Sequence, residues 1–186
     1  NSSERLDESA RLEPQSPYAI SKTTLYFALQ QYYASAPLTF LRLFNVFGEG
    51  EPTSRLIPFI ARKTMNGEEV PLTGGEQQRD FMFINDLIVI LHRLITLPVA
   101  SLPGFRTINV GTGKATSLRT FICLVAKELE RQGIEPKLKF GALPYRKEDP
   151  MRCVANNAQL LSLIGDIPFT ELSLAVELTV RSLNES

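Results

Sequence analysis

The stretch Ser16-Pro17-Tyr18-Ala19-Ile20-Ser21-Lys22 begins the helix around which the predicted fold is arranged. Ser16 suits an N-cap, and Pro17 suits the first helical position, where no N–H group is needed. Tyr18 and Lys22 are four residues apart, so a helix places them on one face, one turn apart. A cation near a tyrosine hydroxyl stabilises the phenolate, which lets the side chain donate and accept protons. The stretch therefore predicts an acid/base pair, although a helix with an exposed lysine has the same spacing.

Strands and helices alternate after this first helix. The helix is predicted over 17–35, and the apolar run 38–44 has the composition of a buried parallel strand. A loop is predicted at 45–52. Further strands are predicted over 70–72, 79–84, 106–110 and 137–140. Further helices are predicted over 54–66, 118–132, 156–164 and 171–184, and one more is predicted to be capped by Asn85 and Asp86 and to end near Pro98. This alternation predicts the α/β class with a largely parallel sheet.

The composition argues against several classes of function. Hydrophobic residues are 44% and charged residues 22% of the chain, and 20 basic residues balance 20 acidic ones. This balance favours neither nucleic acid nor a membrane as a partner, and the apolar runs are too short to cross a bilayer. Cys123 and Cys153 lack metal-binding or CxxC spacing, so we expect no metal site, free buried thiols and a cytoplasmic location. One histidine, His92, without a GxSxG motif gives no support for a hydrolase triad.

Polar side chains lie at or near the ends of the predicted strands. Asn45 and Arg79 lie at or beside strand ends, and Arg146 lies in a long loop. In open α/β sheets ligands bind at the carboxyl ends of strands, and a guanidinium group binds phosphate oxygens bidentately. Together with Tyr18, these residues predict one cleft that suits a diphosphate. Surface ion pairing of Arg79 and Arg146 is the alternative that the sequence leaves open.

The turn Gly111-Thr112-Gly113 follows a strand and precedes a helix, as in a dinucleotide-binding fingerprint. Thr116 occupies the position of the third glycine, and no acidic residue follows a second strand about 20 residues on. We therefore interpret this turn as a tight strand–helix connection and not as the cofactor loop.

Seven ordered motifs resemble the extended short-chain dehydrogenase/reductases, the NAD-dependent epimerase/dehydratase family that acts on nucleotide sugars. The motifs are Glu8 and Pro14 with 16–22, then 41–48, 56–59, Gly75 with 78–81, Asp86 with Leu87, 108–113, and 144–146 with Asp149. The resemblance runs the length of the chain. It implies a Rossmann-like parallel sheet with a small α/β substrate-binding region.

The resemblance implies roles around a cofactor, either NAD or NADP. Tyr18 would be the catalytic acid/base. Lys22 would stabilise its phenolate form and hold the nicotinamide ribose. The backbone of Phe44 would touch the nicotinamide.

The resemblance also implies a nucleotide-sugar substrate. Its diphosphate would be bound by Asn45, Arg79 and Arg146, and its ribose hydroxyls by Asp149. The nucleotide would be flanked by Leu56 and Leu72.

The sequence departs from the family at its beginning. The family's glycine-rich cofactor loop, first strands and catalytic serine or threonine have no counterpart, so the sheet is expected to be partial and the chain alone inactive. Residues 1–50 are expected to end the dinucleotide-binding domain and to carry the active-site helix. Residues 51–186 are expected to be mainly the nucleotide-sugar binding region, with 79–110 returning to the sheet.

Helix 17–35 carries apolar and aromatic residues on more than one face, which leaves surface to bury elsewhere. The resemblance implies a homodimer whose helices pack together at this position.

The function predicted from these residues is an NAD(P)-dependent epimerase or dehydratase acting on a nucleotide sugar. The run 140–146 is also similar to 4-keto reductases of deoxysugar synthesis, which are the first alternative. A non-catalytic nucleotide-sugar binding module is the second.

Overall fold

Six α-helices, a short 3₁₀ helix (Val99–Ser101) and nine strands, paired in parallel except for one antiparallel pair, make up the described part of the fold. The computed structural model describes residues 5–147 and 149–183. The helices are α1 (Pro17–Tyr32), α2 (Leu56–Met65), α3 (Ile84–Ile95), α4 (Leu118–Arg131), α5 (Ala158–Ile164) and α6 (Leu172–Ser182). The strands are β1 (Leu38–Leu43), β2 (Asn45–Phe47), β3 (Glu69–Leu72), β4 (Gln78–Arg79), β5 (Phe81–Phe83), β6 (Phe105–Val110), β7 (Thr116–Ser117), β8 (Lys137–Phe140) and β9 (Arg152–Cys153).

The longest strand pair joins β1 to β6 in parallel, with Leu38 opposite Phe105 and Leu43 opposite Val110. Successive side chains of a strand point to opposite faces. One face of the pair carries Leu41, Ile108 and Val110, which pack with α3 and α5 in a buried cluster. The opposite face carries aromatic and polar side chains and lies against α1. The predicted parallel α/β architecture is confirmed.

A second buried cluster lies between β2, β5 and the helices α2, α4 and α6. Its centre is aromatic: the rings of Phe81 and Phe121 stack with centroids 3.8 Å apart, and Phe47 contacts both. The remaining buried members are Ile57, Ile60, Ala61, Val70, Leu72, Phe83, Ile122, Val125, Leu129, Ala175, Val176 and Val180. This cluster supports the strand ends that carry the candidate site.

The single strand predicted over 79–84 is wrong, because Asp80 divides it. β4 pairs with β7 and β9, whereas β5 pairs in parallel with β2. The backbone N–H of Asp80 donates to the carbonyl of Cys153, and its own carbonyl accepts from the N–H of Asn45. The residue therefore joins two different sheets.

Of two predicted helix caps, one is confirmed and the other is wrong. The Ser117 hydroxyl caps α4 by accepting from the N–H of Thr120 at 3.0 Å, which confirms that prediction. The predicted cap at Asn85 and Asp86 is wrong, because α3 begins at Ile84 and Asp86 accepts hydrogen bonds from Thr170 instead.

Helix α1 ends at Tyr32 rather than at 35. The two cysteines are free, as predicted, but neither is buried as predicted: Cys123 is exposed and Cys153 is half-buried. None of the helices in the ranges 5–147 and 149–183 is long and apolar enough to span a membrane.

Candidate active site

Helix α1 presents the predicted acid/base pair without covering it. Ser16 caps the helix by accepting from the N–H of Ala19 at 3.1 Å, and Pro17 occupies its first turn, as predicted. Lys22 Nζ lies 5.4 Å from the ring centroid of Tyr18. The Tyr18 side chain is 72% exposed. The structure therefore brings these two residues together on a face that a bound molecule can reach.

A cleft of about 260 Å³, open to solvent, lies at the carboxyl ends of β1 and β6. Phe44 and Asn45 line this cleft. The N–H of Phe44 donates to the carbonyl of Val110 at 3.0 Å, and the N–H of Asn45 donates to the carbonyl of Asp80 at 3.1 Å. These bonds fix the turn between β1 and β2, so two of the predicted site residues lie side by side.

The segment 5–12 forms the outer wall of the cleft. Leu6 makes a parallel bridge to Ala155, and its carbonyl accepts from Asn109 Nδ2 at 2.9 Å. The carboxylate of Glu8 accepts from the N–H of Asn109 at 2.9 Å. The backbone carbonyl of Glu8 accepts from Arg42 Nη1, also at 2.9 Å. Asn109 and Arg42 also line the cleft and were not predicted as site residues.

Arg79 and Asp149 form an ion pair beside the cleft. Arg79 Nη2 lies 2.5 Å from Asp149 Oδ1, and Arg79 Nη1 donates to the carbonyls of Gln78 and Pro150. The Arg79 residue is only 8% exposed. Its charge is therefore held in place by Asp149 and backbone oxygens.

Arg146 is exposed in the loop before Asp149, and its carbonyl accepts from the N–H of Asp149 at 3.1 Å. The loop geometry therefore ties the backbone of Arg146 to the Arg79–Asp149 pair, while the Arg146 side chain lies in solvent.

Cys153 connects the cleft to the ion pair. It lines the cleft and lies opposite Arg79 in the pairing of β4 with β9. Burial raises the pKa of the Cys153 thiol, an effect that the charge of Arg79 opposes and the charges of Asp80 and Asp149 reinforce. No pattern in the sequence pointed to Cys153, beyond its being an unpaired cysteine.

Of the two leucines predicted to flank the nucleotide, one belongs to the core and the other packs against it. Leu72 is 6% exposed and belongs to the aromatic-centred cluster, and its carbonyl accepts from the N–H of Leu143. Leu56 begins α2 and is half-buried against the same cluster. Their contact with a nucleotide stays a prediction.

The turn Gly111-Thr112-Gly113 is filled by a side chain of the protein itself. Asp80 is fully buried, and its carboxylate accepts from the N–H groups of Thr112, Gly113 and Ala155 and from the hydroxyl of Thr112. A Cβ added at Gly111 would lie 2.6 Å from the same carboxylate. These amides already bind the Asp80 carboxylate and are therefore not open to a dinucleotide phosphate. This agrees with the interpretation of the turn as a strand–helix connection and not as the cofactor loop.

The predicted contacts with a dinucleotide concern one end of it. Tyr18 and Lys22 are uncovered and present a hydroxyl and an ammonium group, which are polar groups of the kind that bind a ribose. Phe44 is hydrogen-bonded through both its N–H and its carbonyl, so its contact with a nicotinamide stays a prediction. The only glycine-rich turn that resembled a fingerprint is the one occupied by Asp80.

A profile of the NAD dependent epimerase/dehydratase family matches residues 1–111, and the chain belongs to this family. CDP-abequose synthase of Salmonella typhimurium is 32% identical over 152 residues, which are 79% of this chain and 50% of that protein. GDP-6-deoxy-D-talose 4-dehydrogenase of Aggregatibacter actinomycetemcomitans is 27% identical over 174 residues, 92% of this chain and 57% of that protein.

A solved structure is similar in fold to this chain. MoeE5 in complex with UDP-glucuronic acid and NAD is similar with a TM-score of 0.82 and 25% identity, covering 97% of this chain and 60% of that one. The chain spans about half the length of the curated relatives it matches.

Proposed function

We propose that the complete protein containing this chain is an NAD-dependent epimerase or dehydratase that acts on a nucleotide sugar. The observation that carries the proposal is the uncovered Tyr18–Lys22 pair on α1, in a chain that belongs to the NAD-dependent epimerase/dehydratase family. The MoeE5 complex, which contains UDP-glucuronic acid and NAD, supports the choice of cofactor and substrate class.

The proposed chemistry is proton transfer by Tyr18 coupled to hydride transfer at a sugar carbon. Bound NAD supplies the hydride-transfer chemistry. Tyr18 Oη takes the proton of the sugar hydroxyl as the carbon is oxidised and returns it when the carbon is reduced. The Lys22 ammonium stabilises the phenolate that takes this proton and that forms again when the proton is returned. With NAD bound, Lys22 would also donate to the nicotinamide ribose, and the Phe44 backbone would lie against the nicotinamide.

The proposed substrate-binding group lies around the cleft and the Arg79–Asp149 pair. Asn45 and the exposed Arg146 contact the diphosphate together with Arg79, because guanidinium groups bind phosphate oxygens bidentately. Asp149 accepts from the ribose hydroxyls, and Leu56 and Leu72 border the nucleotide. Support for this arrangement comes from the position of Asn45 in the cleft and from the link through Cys153 to Arg79.

A 4-keto reductase of deoxysugar synthesis is the second candidate. It is favoured by the name of a relative, GDP-6-deoxy-D-talose 4-dehydrogenase, which places its chemistry at carbon 4 of a deoxysugar. The same acid/base pair serves this reaction, since reduction of a ketone needs one proton as well as one hydride.

A homodimer through helix 17–35 is part of the proposal. Ile20, Leu25 and Phe27 are 50%, 46% and 54% exposed on this helix, which is apolar surface that a second copy would bury. The cytoplasmic setting, which the free cysteines favour, is proposed with it.

The proposed division of the chain follows the family resemblance. Residues 1–50 end the dinucleotide-binding domain, and 51–186 mainly bind the nucleotide sugar, with 79–110 returning to the sheet. The pairing of β6 with β1 and of β5 with β2 supports this return.

The test is to express the complete reading frame and incubate it with NAD or NADH and a set of UDP-, CDP-, GDP- and dTDP-sugars. Products are identified by nuclear magnetic resonance. Inversion at a sugar carbon or loss of water supports the first function, and net oxidation or reduction at carbon 4 supports the second. Tight binding of a nucleotide sugar without any turnover would leave only the binding module.

A further inference from the structure

Tyr26 lies one turn beyond Lys22 on α1, and its ring packs into the β1–β6 pair. The Tyr26 ring centroid is 5.1 Å from that of Phe40 on β1 and 5.7 Å from that of Phe105 on β6. Both contacts are edge-to-face, with interplanar angles of 72° and 65°, which is a geometry that aromatic pairs prefer. We call the side chains around the ring, Phe40, Arg42, Phe105 and Thr107, the Tyr26 seat.

The seat fixes both the ring and the hydroxyl of Tyr26. Thr107 Oγ1 donates to Tyr26 Oη at 3.2 Å. The guanidinium of Arg42 lies 4.9 Å from the ring centroid, within the range of a cation–π interaction. Arg42 Nη1 also donates to the carbonyl of Glu8 at 2.9 Å, so the seat is joined to the outer wall of the cleft.

Within the described part of this chain, helix α1 has little attachment other than this seat. No residue of α1 is fully buried. Its half-buried residues recur along one face at Ala19, Thr23, Tyr26 and Leu29. The first two are small, so Tyr26 is the first large side chain of this face beyond the acid/base pair. Tyr18 and Lys22, by contrast, are exposed and cannot orient the helix themselves.

We propose that Tyr26 is a positioning residue whose seat sets the height and rotation of α1 and thereby places Tyr18 Oη and Lys22 Nζ for proton transfer. This inference rests on the proposed function, since it assigns Tyr26 a task in that reaction. A misplacement of about 1 Å at reacting atoms costs about 10²-fold in rate, so a loosened seat is expected to show in turnover.

The first experiment compares Tyr26→Ala, Tyr26→Leu and Tyr26→Phe in the complete protein. Tyr26→Ala is expected to lower kcat by about 10²-fold with little change in KM, because the substrate-binding group is untouched. Tyr26→Phe keeps the ring in its seat and is expected to retain most of kcat. Ile95→Ala, at a 78% exposed position of α3, is the control and should behave as wild type. Wild-type kcat in Tyr26→Ala would overturn the proposal. If the alanine variant lacks a cooperative thermal transition, the kcat of Tyr26→Leu is judged in its place.

The second experiment separates positioning from a general loss of structure. If Tyr26 acts through Tyr18, then Tyr26→Ala is expected to lower kcat far less when Tyr18 is already phenylalanine. The same fractional loss in both backgrounds would mean that Tyr26 acts on the fold alone, which overturns the proposal.

The third experiment does not depend on turnover and measures hydrogen exchange of the backbone amides. In Tyr26→Ala the amides of α1 should exchange faster, while those of α4 stay unchanged, and Tyr26→Phe should match wild type. Equal exchange in all three proteins would overturn the inference. A wild-type protein without activity on any nucleotide sugar would instead refute the proposed function, and exchange in α1 would then decide the role of Tyr26 in holding the helix.

Discussion

The guanidinium of Arg79 donates to Oδ1 of Asp149 at 2.5 Å, although the two residues are 70 positions apart in the chain. In the proposed function both residues bind polar groups of the nucleotide: Arg79 binds a phosphate and Asp149 binds a ribose hydroxyl. Because they are already paired, the nucleotide meets a charge arrangement that is set before it binds.

Arg79→Ala and Arg146→Ala are each expected to weaken binding of a nucleoside diphosphate to the complete protein by about 1.5–3 kcal/mol, typical of a hydrogen bond to a charged group. Arg79→Ala also leaves the carboxylate of Asp149 without its cation. Calorimetric titration with UDP, CDP, GDP and dTDP measures the loss. Arg62→Ala, on the exposed side of α2, is the matched control. Unchanged affinity in both variants would favour a purely structural ion pair.

Tyr18→Phe is expected to lower kcat of the complete protein by about 10²–10⁴-fold, the range of a general acid/base, with little change in substrate binding. The change removes one hydroxyl and leaves the ring near Lys22. Tyr32→Phe makes the same change at an 84% exposed position of the same helix and should leave turnover unaltered. Near wild-type kcat in Tyr18→Phe would end its assignment as the acid/base.

Cys123 is expected to react with iodoacetamide before Cys153, because Cys123 is exposed and Cys153 is half-buried. Burial raises the pKa of the Cys153 thiol, so a smaller fraction is thiolate at a given pH. The labelling rate of Cys153 should therefore keep rising at a pH where that of an ordinary thiol has levelled off. Mass spectrometry of the labelled peptides follows both sites.

A nucleotide sugar that binds in the cleft should slow the labelling of Cys153 and leave that of Cys123 unchanged, because only Cys153 lines the cleft. Equal labelling of Cys153 with and without the nucleotide sugar would show that the substrate does not enter there.

Phe27→Lys is expected to shift the complete protein from dimer to monomer, because it places a charge in the apolar surface of α1 that a second copy would bury. Sedimentation velocity at micromolar concentration measures the change. Ile88→Lys adds the same charge to a 56% exposed position of α3 and should leave the dimer intact. A wild-type protein that sediments as a monomer would refute the proposed dimer.

Residues 1–186 expressed alone are expected not to retain NAD or NADP. The amides of Thr112 and Gly113 are bonded to Asp80, so this turn offers no site for the pyrophosphate. Titration of both dinucleotides, followed by fluorescence with circular dichroism as a check on folding, measures the binding. A cooperative thermal transition together with micromolar dinucleotide binding would show that the cofactor site has been placed wrongly.

Local periodicity predicted those parts of the site that a single element determines. The spacing of Tyr18 and Lys22 was enough, because one helical turn fixes their relation. The strand β1 was equally clear from its apolar run. The exposed position of Cys123 also follows from helical phase, since Phe121, Ile122 and Val125 face the core. That prediction was wrong because cysteine was taken as buried by residue type alone.

Contacts between distant segments left no local pattern. The strand predicted over 79–84 is split because the Asp80 carboxylate turns inward to amides more than 30 residues away. The predicted helix cap at Asp86 is wrong for a similar reason, because its carboxylate is taken by Thr170, 84 residues on. The pairing of Arg79 with Asp149 and the wall made by 5–12 likewise depend on partners that only the folded chain brings near.

Asp80 also limits how the cleft can respond to a substrate. The N–H of Asp80 donates to the carbonyl of Cys153, and the carbonyl of Asp80 accepts from the N–H of Asn45. The two cleft-lining residues Cys153 and Asn45 are therefore bonded to the same buried residue. Moving Asn45 and Cys153 apart would break a hydrogen bond to a buried residue. We therefore expect a molecule that enters the cleft to fit a preset spacing between these two residues and not to widen it.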